Sequence, residues 1–443
     1  MRFLLINPKW DGLVGRDRRY NRPWPPLSLL YCASLLREAG HEVSLIDGRA
    51  DRHDRTRIDV AAAGADWIIL TSSPLDRWQC PNLDVDSFFS FAKSLPEEKL
   101  VLCGVHGTIF PDKILESTGA RFVIRGEPEA AVIDFIRRGE WETTAGLSYP
   151  ADRKTFHNPV LDPLDLADLP LPAYELAPPE DYRYELLGER LALLESSRGC
   201  PFHCPFCLKI MFGDGYRIKP LDRLMEEIDL VVKRFAFRSI YFIDLEFVVD
   251  KTRAKQICQA MTQKNLDVSW ACQTRMDSLD ENLLEHMYRA GCRLIHIGIE
   301  TGLASDQDRM NKRICSERAK AIIDKATKLG IATACFYLFG FPGETEADRV
   351  ETLRLARALN STYASFHVLA PYPTTDFFES SCASADLFPC VCPEHSRSES
   401  YDWERKAIKR YYLRPRHAVR NMRLWLKQGN ILKKIRLFKE FLW

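Results

Sequence analysis

The sequence predicts an α/β protein: an N-terminal Rossmann-like, doubly wound parallel sheet, then a partial (β/α)6 barrel, then a helical basic tail. Three observations carry that reading. Short apolar runs alternate with helix-like stretches over residues 1–140, a proline-rich interruption occupies 141–185, and the alternation resumes over 186–385 before a cationic region, 386–443. Strands separated by helices pair in parallel, and six successive βα units suit a barrel whose site lies at the strand C-termini.

In the first region Arg2–Ile6 reads as a strand and Leu27–Ala39 as a helix stopped by Gly40. Val43–Ile46, Trp67–Leu70, Leu100–Cys103 and Phe122–Ile124 read as further strands. Ligands of an open parallel sheet bind beyond the strand C-termini. Here those loops are Asn7-Pro8, Thr71-Ser72-Ser73, Gly104 to Thr108, and Gly126-Glu127. Asp162-Pro163, Leu169-Pro170-Leu171-Pro172 and Pro178-Pro179 exclude regular helix and favour extended chain laid over a surface. The second set of strands is Leu191–Ser196, Ser239–Ile243, Val268–Cys272, Leu294–Ile299, Ala332–Leu338 and Ser365–Leu369. Helices such as Asp222–Phe235 and Asp280–Ala290 fall between them.

The 443 residues are 46% hydrophobic and 28% charged, enough for large cores and too apolar for a disordered or fibrous chain. Lys and Arg number 62 against 61 Asp and Glu, a net of +1, so no overall field selects a nucleic acid. The balance hides an asymmetry. Residues 401–443 hold thirteen Lys or Arg against three acids, a net of +10, which leaves −9 on the rest. Apolar residues recur at helical spacing among the cations of residues 431–443. Residues 416–443 therefore read either as a peripheral membrane contact or as a helix packed on the barrel with a solvated basic face. The opening MRFLLINPKW lacks the apolar run and cleavage site of an export signal, and no eighteen apolar residues run together. A cytoplasmic chain, with membrane association through the tail, is the expectation.

Fourteen cysteines in such a chain read mostly as buried thiols, Cys272 and Cys335 for example. Three are grouped. In Arg198-Gly199-Cys200-Pro201-Phe202-His203-Cys204-Pro205-Phe206-Cys207, a Cys-x3-Cys-x2-Cys spacing follows directly on the first barrel strand. Three thiolates in one tight loop suit a 4Fe–4S cluster with the fourth iron open to a small molecule. The alternative is zinc with His203 as fourth ligand, although a closed tetrahedral site has little to do at a barrel mouth. Cys390-Val391-Cys392-Pro393-Glu394-His395 is also metal-like in composition, as an auxiliary site or a structural element.

The loop resembles the radical S-adenosylmethionine (SAM) superfamily, as do the segments that follow it. Tyr241-Phe242-Ile243-Asp244-Leu245-Glu246-Phe247 resembles the family's second-strand segment and Trp270 to Asp277 its third. Gly298-Ile299-Glu300-Thr301-Gly302 resembles the fourth-strand motif and Leu338 to Thr345 the fifth. Tyr372-Pro373-Thr374-Thr375 resembles a Tyr-Pro-Gly-Thr signature without its glycine. Upstream, Pro25-Pro26-Leu27-Ser28-Leu29 with Gly40-His41, then Gly104-Val105-His106-Gly107-Thr108, then Arg125-Gly126-Glu127-Pro128-Glu129 resemble the cobalamin-binding domain fused to one large radical SAM class.

The resemblance implies Cys200, Cys204 and Cys207 as cluster ligands, with SAM chelated by the open iron. It implies Asp244, Glu246, Arg275 and Glu300 near SAM or substrate: Glu300 on the ribose or in a rim salt bridge, Arg275 on the SAM carboxylate or bracing Asp277. Asp244 and Glu246 alternatively cap the following helix. For the corrin it implies Thr71 and Ser72, with Ser73, as hydroxyl donors, Gly104 and Gly107 as points of close backbone approach, and His106, Gly126 and Glu127 within the binding loops. Asp51-Arg52-His53-Asp54-Arg55-Thr56 nearly imitates an axial-histidine motif but lacks its glycine, and reads as a solvated charged loop.

The implied activity is reductive cleavage of SAM to a 5′-deoxyadenosyl radical and cobalamin-dependent methylation of an unactivated carbon, or of phosphorus. The substrate would be a small molecule or lipid and the electron source an external flavodoxin- or ferredoxin-type donor. A radical rearrangement, cyclisation or oxidation without methylation is the alternative, and a non-catalytic cobalamin- or redox-sensing module a third reading.

Overall fold

Unbroken apolar runs become the interior strands of two sheets in the computed structural model. It describes residues 1–10, 22–50, 55–73, 83, 85–152, 154–160, 162–212, 215–310, 312, 314–381, 391–415, 417 and 419. Two units are defined by contact. The first comprises Met1–Tyr184, Glu189–Gly199 and Leu208–Arg238, and the second Glu185–Gly188, Cys200–Cys207 and Ser239–Trp443.

The first unit holds β1 (Arg2–Asn7), α1 (Leu27–Glu38), β2 (Glu42–Asp47), α2 (Arg55–Gly64), β3 (Trp67–Thr71), α3 (Asp86–Lys93) and β4 (Leu100–Cys103). It continues with α4 (Val105–Ile109), α5 (Pro111–Thr118), β5 (Phe122–Ile124) and α6 (Pro128–Arg138). Strand order is β2-β1-β3-β4-β5, all parallel, with Leu5 level with Leu45 and Ile69. Side chains alternate across a strand, so each run feeds two cores. Leu4, Ile6, Ile68, Leu70 and Leu102 pack with Ile58 of α2, Phe88 of α3 and Ile114 of α5. Phe3, Leu5, Ile69 and Val101 pack on the other face with Leu29 and Leu36 of α1 and Val132 and Phe135 of α6. Each such side chain contributes about 1.5–3 kcal/mol by leaving water, which fixes helices on both faces as expected.

The sheet runs further than the apolar pattern implied. Residues taken from sequence as linker form β6 (Leu147–Ala151) and β7 (Lys154–His157), an antiparallel hairpin on the edge beyond β5. The hairpin alternates too few apolar residues to announce itself: Phe156 is exposed, while Leu147 and Ser148 are buried. The proline-rich stretch beyond it forms three short 3-10 turns, Leu166–Asp168, Tyr174–Leu176 and Pro179–Asp181, and lies along α1 through Ser34 Oγ to Leu171 O (2.6 Å).

Two-residue strands β8 (Arg183–Tyr184) and β9 (Gly188–Glu189) precede β10 (Leu191–Leu194), the predicted first barrel strand, which is grouped with the first unit. Tyr174 clamps it: its hydroxyl donates to Leu193 O at 2.5 Å and accepts from Leu193 N at 2.9 Å. After β10, β11 (Ser197–Arg198) pairs antiparallel with β12 (Arg217–Ile218), and α7 (Leu221–Asp229) runs on into a π-helical turn, Leu230–Arg234.

Arg198 is a buried cation of this unit. Its guanidinium meets Glu195 (2.7 Å), Glu127 (2.9 Å) and Glu129 (2.8 Å), and Arg217 reaches Glu127 from the other side. Burial pushes the Glu129 carboxyl up, whereas at Glu195 Arg198 and Lys219 outweigh the same burial and hold it low. Gly199 follows with φ +81°, and a Cβ there would stand 1.8 Å from the Gly215 carbonyl oxygen, so no other residue fits. A second buried pair, Lys219 with Glu227 at 2.7 Å, is closed by the Tyr31 hydroxyl.

The second unit is built on β13 (Ser239–Phe242), β14 (Ser269–Arg275), β15 (Cys292–Glu300), β16 (Ala332–Phe339) and β17 (Tyr363–Val368), parallel and in that order. Helices α8 (Lys251–Gln263), α9 (Glu281–Arg289), α10 (Ala304–Arg309), α11 (Ser316–Leu329) and α12 (Glu346–Leu359) connect them, followed by α13 (Asp376–Ser381) and α14 (Arg397–Tyr412). Asp250 and Asp280 cap α8 and α9 through Thr252 N (2.7 Å) and Leu283 N (2.8 Å), and Thr345 with Asp348 forms a capping box on α12. The predicted helical tail begins with α14, which is docked: Tyr412 Oη bonds both Ala364 N and Ala364 O at 2.9 Å, and Tyr411 Oη bonds Ser361 O at 2.6 Å. Residues 51–54, Cys390 and, apart from residues 417 and 419, 416–443 lie outside the described residues.

Replacing Arg198 strands three buried carboxylates. Arg198→Met is expected to lose about 3–5 kcal/mol at neutral pH in urea denaturation. The deficit should shrink in acid, where carboxylates without their cation take up protons; a deficit that ignores pH would show that shape, not charge, is what the substitution removes.

Candidate functional site

The cysteine loop is the only cluster of half-buried thiols among the described residues. Cys200, Cys204 and Cys207 are half-buried, whereas Cys32, Cys103, Cys258, Cys272, Cys292, Cys335 and Cys392 are buried. Burial pushes the Cys258 thiol up to about 12 and Cys272 well above the usual range, so these sulfurs stay protonated and inert. The loop lies among cations instead. Arg275 sits 4.3 Å over the Phe202 ring, Lys312 Nζ lies 6.0 Å from the Phe206 ring, and both cations interact electrostatically with Cys204. Cys207 N donates to Cys204 O at 3.0 Å, and Pro205 O accepts from Phe377 N at 3.2 Å, which pins the loop's far end.

This donor set fits a thiolate-ligated cluster better than zinc. His203, the proposed fourth zinc ligand, turns to Asp376 (Nε2 to Oδ2, 2.9 Å) and is mostly exposed. Among the described residues no three His, Cys, Asp or Glu side chains close around a single ion. Zinc would draw its sulfurs in to about 2.3 Å each, whereas an iron–sulfur cube holds them apart. The second metal-like segment is structural where it is described: His395 bonds Phe341 O (2.8 Å) and Arg349 (3.3 Å), and Cys392 is buried in an apolar cluster.

Around the loop the strand ends of the second unit carry paired charges. Glu246, after β13, accepts from Arg275 N (2.7 Å), Val248 N (3.3 Å) and the Thr274 hydroxyl. Asp250, not Glu246, caps α8, and Glu246 ties the β13–α8 loop to the end of β14. Burial pushes its carboxyl up to about 7, with those hydrogen bonds opposing. Asp244 is buried at the same strand end. Arg275 braces Asp277 bidentately (2.9 and 2.7 Å) while stacked on Phe202, so the bracing alternative is the one observed. Glu300 likewise takes the salt-bridge form, at 2.6 Å from Lys312 Nζ, both groups buried. Its backbone is left-handed (φ +67°) beside a bulge between Gly298 and Glu300. A non-glycine residue held so costs about 1–3 kcal/mol, and such strain concentrates at functional sites. Lys312 and Phe202 escaped the sequence reading: one is a lysine in a charged stretch, the other a spacer between ligands, and only the tertiary fold gives either a role.

At the C-terminal edge of the first unit's sheet the predicted residues are brought together, but several are spent on one another. Ser72 Oγ lies 3.1 Å from His106 Nδ1, Ser73 Oγ accepts from Val105 N (3.2 Å), and Thr71 Oγ1 from Ser73 N (3.1 Å). Gly104 (φ +109°) is required by these serines, since a Cβ would fall 2.7 Å from both hydroxyl oxygens. His106 lies in this same loop, beside Ser72. It is fully buried, its ring stacked near Phe88 and Trp10, and faces the core. Gly126 N donates to Thr108 Oγ1 (3.0 Å), and Glu127 belongs to the Arg198 network. Asn7 and Asp47, level with each other at the ends of β1 and β2, share a bond of 2.9 Å. Burial pushes Asp47 up to about 6, against the opposing Arg49. Asn7 Oδ1 is buried with no partner among the described residues. A bare acceptor at the crevice end of a parallel sheet fits the amide donors around a corrin.

Comparison with known proteins agrees with both halves of this geometry. The profile of the Radical SAM superfamily matches residues 194–356, and that of the B12 binding domain residues 18–136. The chain is 29% identical, over 98% of its length and 97% of the other, to an uncharacterized methyltransferase from Pyrococcus horikoshii. It is 26% identical, over 88% of its length and 71% of the other, to the anaerobic magnesium-protoporphyrin IX monomethyl ester cyclase of Rubrivivax gelatinosus. Among solved structures, the cobalamin-dependent SAM radical enzyme OxsB with aqua-cobalamin and SAM bound shares the fold at TM-score 0.74 and 16% identity, over 99% of this chain and 70% of that one.

Glu246 generates a pH prediction. With its carboxyl moved from 4.5 to about 7, the folded chain holds that proton more tightly than the unfolded one. Its contribution is whole below pH 4.5 and is lost as pH rises to about 7, a fall of about 3 kcal/mol. Glu246→Gln is expected to flatten that part of the stability curve in urea denaturation, and an unchanged slope counts against the assignment.

Proposed function

Because the chain belongs to the radical SAM enzymes that carry a B12-binding domain, we propose that it transfers a methyl group from SAM, by way of cobalamin, to an unactivated carbon of a small-molecule or lipid-type substrate. The observation that carries the reading is the three-thiol loop flanked by two buried cations, below strand ends crowded with paired charge. When bound, the cluster supplies the electron that splits SAM and the corrin supplies a transferable methyl group. Cys200, Cys204 and Cys207 hold the cluster. Arg275, fixed by Asp277 and lying on Phe202, shields one flank of the loop from water, and Lys312 with Glu300 shields the other. Glu246 keeps the β13–α8 loop, and with it Asp244, at the strand ends, so that bound SAM meets a preset surface. Asn7 and the Thr71–Ser73 segment are the groups assigned to the corrin amides. An external one-electron donor of the flavodoxin or ferredoxin type completes the set. Among the described residues no helix is long and apolar enough to cross a membrane.

A second reading, radical cyclisation or oxidation without methyl transfer, is favoured by the similarity to the magnesium-protoporphyrin cyclase. Anaerobic reconstitution with iron, sulfide and cobalamin, then product analysis under reduction, separates them. Methylation yields S-adenosylhomocysteine together with 5′-deoxyadenosine; cyclisation yields the second alone. SAM left intact would reduce the protein to a sensing module. Cys200→Ala, Cys204→Ala and Cys207→Ala are each expected to abolish bound iron while leaving corrin content unchanged, and iron retained in all three variants would overturn the ligand assignment.

A further inference from the structure

The second unit carries a cavity of about 920 Å³ lined by α11, α12 and the C-terminal end of α14. Five of its lining residues are cations: Lys320 on α11, Arg354 and Arg357 on α12, Arg410 on α14 and Arg414 just beyond it. Among the described residues no carboxylate lines it. Lys320 and Arg354 are matched by Asp324 and Glu351 on their own helices, which leaves three positive charges in excess. Arg414 is half-buried and meets only neutral acceptors, Tyr411 O (2.6 Å), Arg357 O (2.9 Å) and Asn360 Oδ1 (3.1 Å). The rest of the lining includes Val350, Leu353 and Pro415. Val350 is 45% exposed, and Leu413, beside Arg414, is 68% exposed. Water-facing aliphatic side chains among unmatched arginines are what an anionic amphiphile needs: phosphate for the guanidiniums, hydrocarbon for the floor.

We propose that this cavity receives the phosphate headgroups of an anionic phospholipid surface. Inorganic phosphate would use the cations and leave the aliphatic floor wet. Residues 416–443 are excluded as occupant by sign, with eight Lys or Arg against one Glu. Each Lys or Arg at an anionic membrane contributes about fivefold to partitioning, so the pair Arg357 and Arg410 is worth about thirtyfold. The inference stands apart from the proposed chemistry, since it concerns where the protein sits and not what it makes.

Co-sedimentation of the full-length chain with phosphatidylglycerol–phosphatidylcholine vesicles tests it, beside pure phosphatidylcholine vesicles. Wild-type protein is expected to pellet with the anionic vesicles alone. Arg357→Ser with Arg410→Ser, both exposed and remote from the cysteine loop in sequence, is expected to weaken that partitioning about thirtyfold with an unchanged thermal melt. Arg289→Ser with Lys328→Ser removes two exposed cations of the same unit outside the cavity and is expected to leave binding intact. Equal loss in both double variants, retention in the cavity variant, or release of the wild-type chain from vesicles by millimolar phosphate would each overturn the proposal. So would binding to a duplex RNA and not to vesicles.

Discussion

A guanidinium sealed from water must be met by carboxylates, and Arg198 is met by three. Taking so much charge out of water is unfavourable unless the geometry is complete, so the arrangement tolerates little displacement. Glu195 comes from the end of β10, Glu127 and Glu129 from the start of α6, and all must be in place before Arg198 can be buried. Gly199 then leaves at an angle no side chain permits, and the first cysteine follows. The course of the chain up to Gly199 is thus set by ion pairing within the first unit, and the segment around Glu127, which resembles a ligand-binding motif, supplies two of its three carboxylates.

The loop itself shows how one chain keeps two kinds of cysteine. Seven described thiols are buried, and burial holds the protons of Cys258, Cys272 and Cys292, whereas three stand half-buried in a loop where Arg275 and Lys312 face Cys204. Those cations are themselves bound, to Asp277 and Glu300, so the field they exert is fixed in place before any ligand arrives.

Much of this was legible in the sequence. The strands of both sheets announced themselves because buried parallel strands are continuous apolar runs, and the cysteine spacing because no structural cysteines need it. Three things were not. The β6–β7 hairpin sits on a sheet edge with one face in water, where alternation over four or five residues is too short to register. The burial of His106 was illegible because its glycine neighbours, which pack against Ser72, Ser73 and Val123, read in sequence simply as an open loop. Glu246 looked like a cap or a substrate group because an acid after a strand is ambiguous until its partners, on a strand 28 residues away, are known.

The two tyrosines that seat α14 have a further consequence. β17 is the last strand in its sheet, and a terminal strand offers unpaired amides and carbonyls to any passing chain. Tyr412 occupies both polar groups of Ala364, and Tyr411 covers Ser361, so the helix works as a lid against self-association. Shortening the protein to remove its cationic end is therefore safe only beyond Tyr412; a cut at residue 400 would bare the strand and invite aggregates that no choice of buffer would cure.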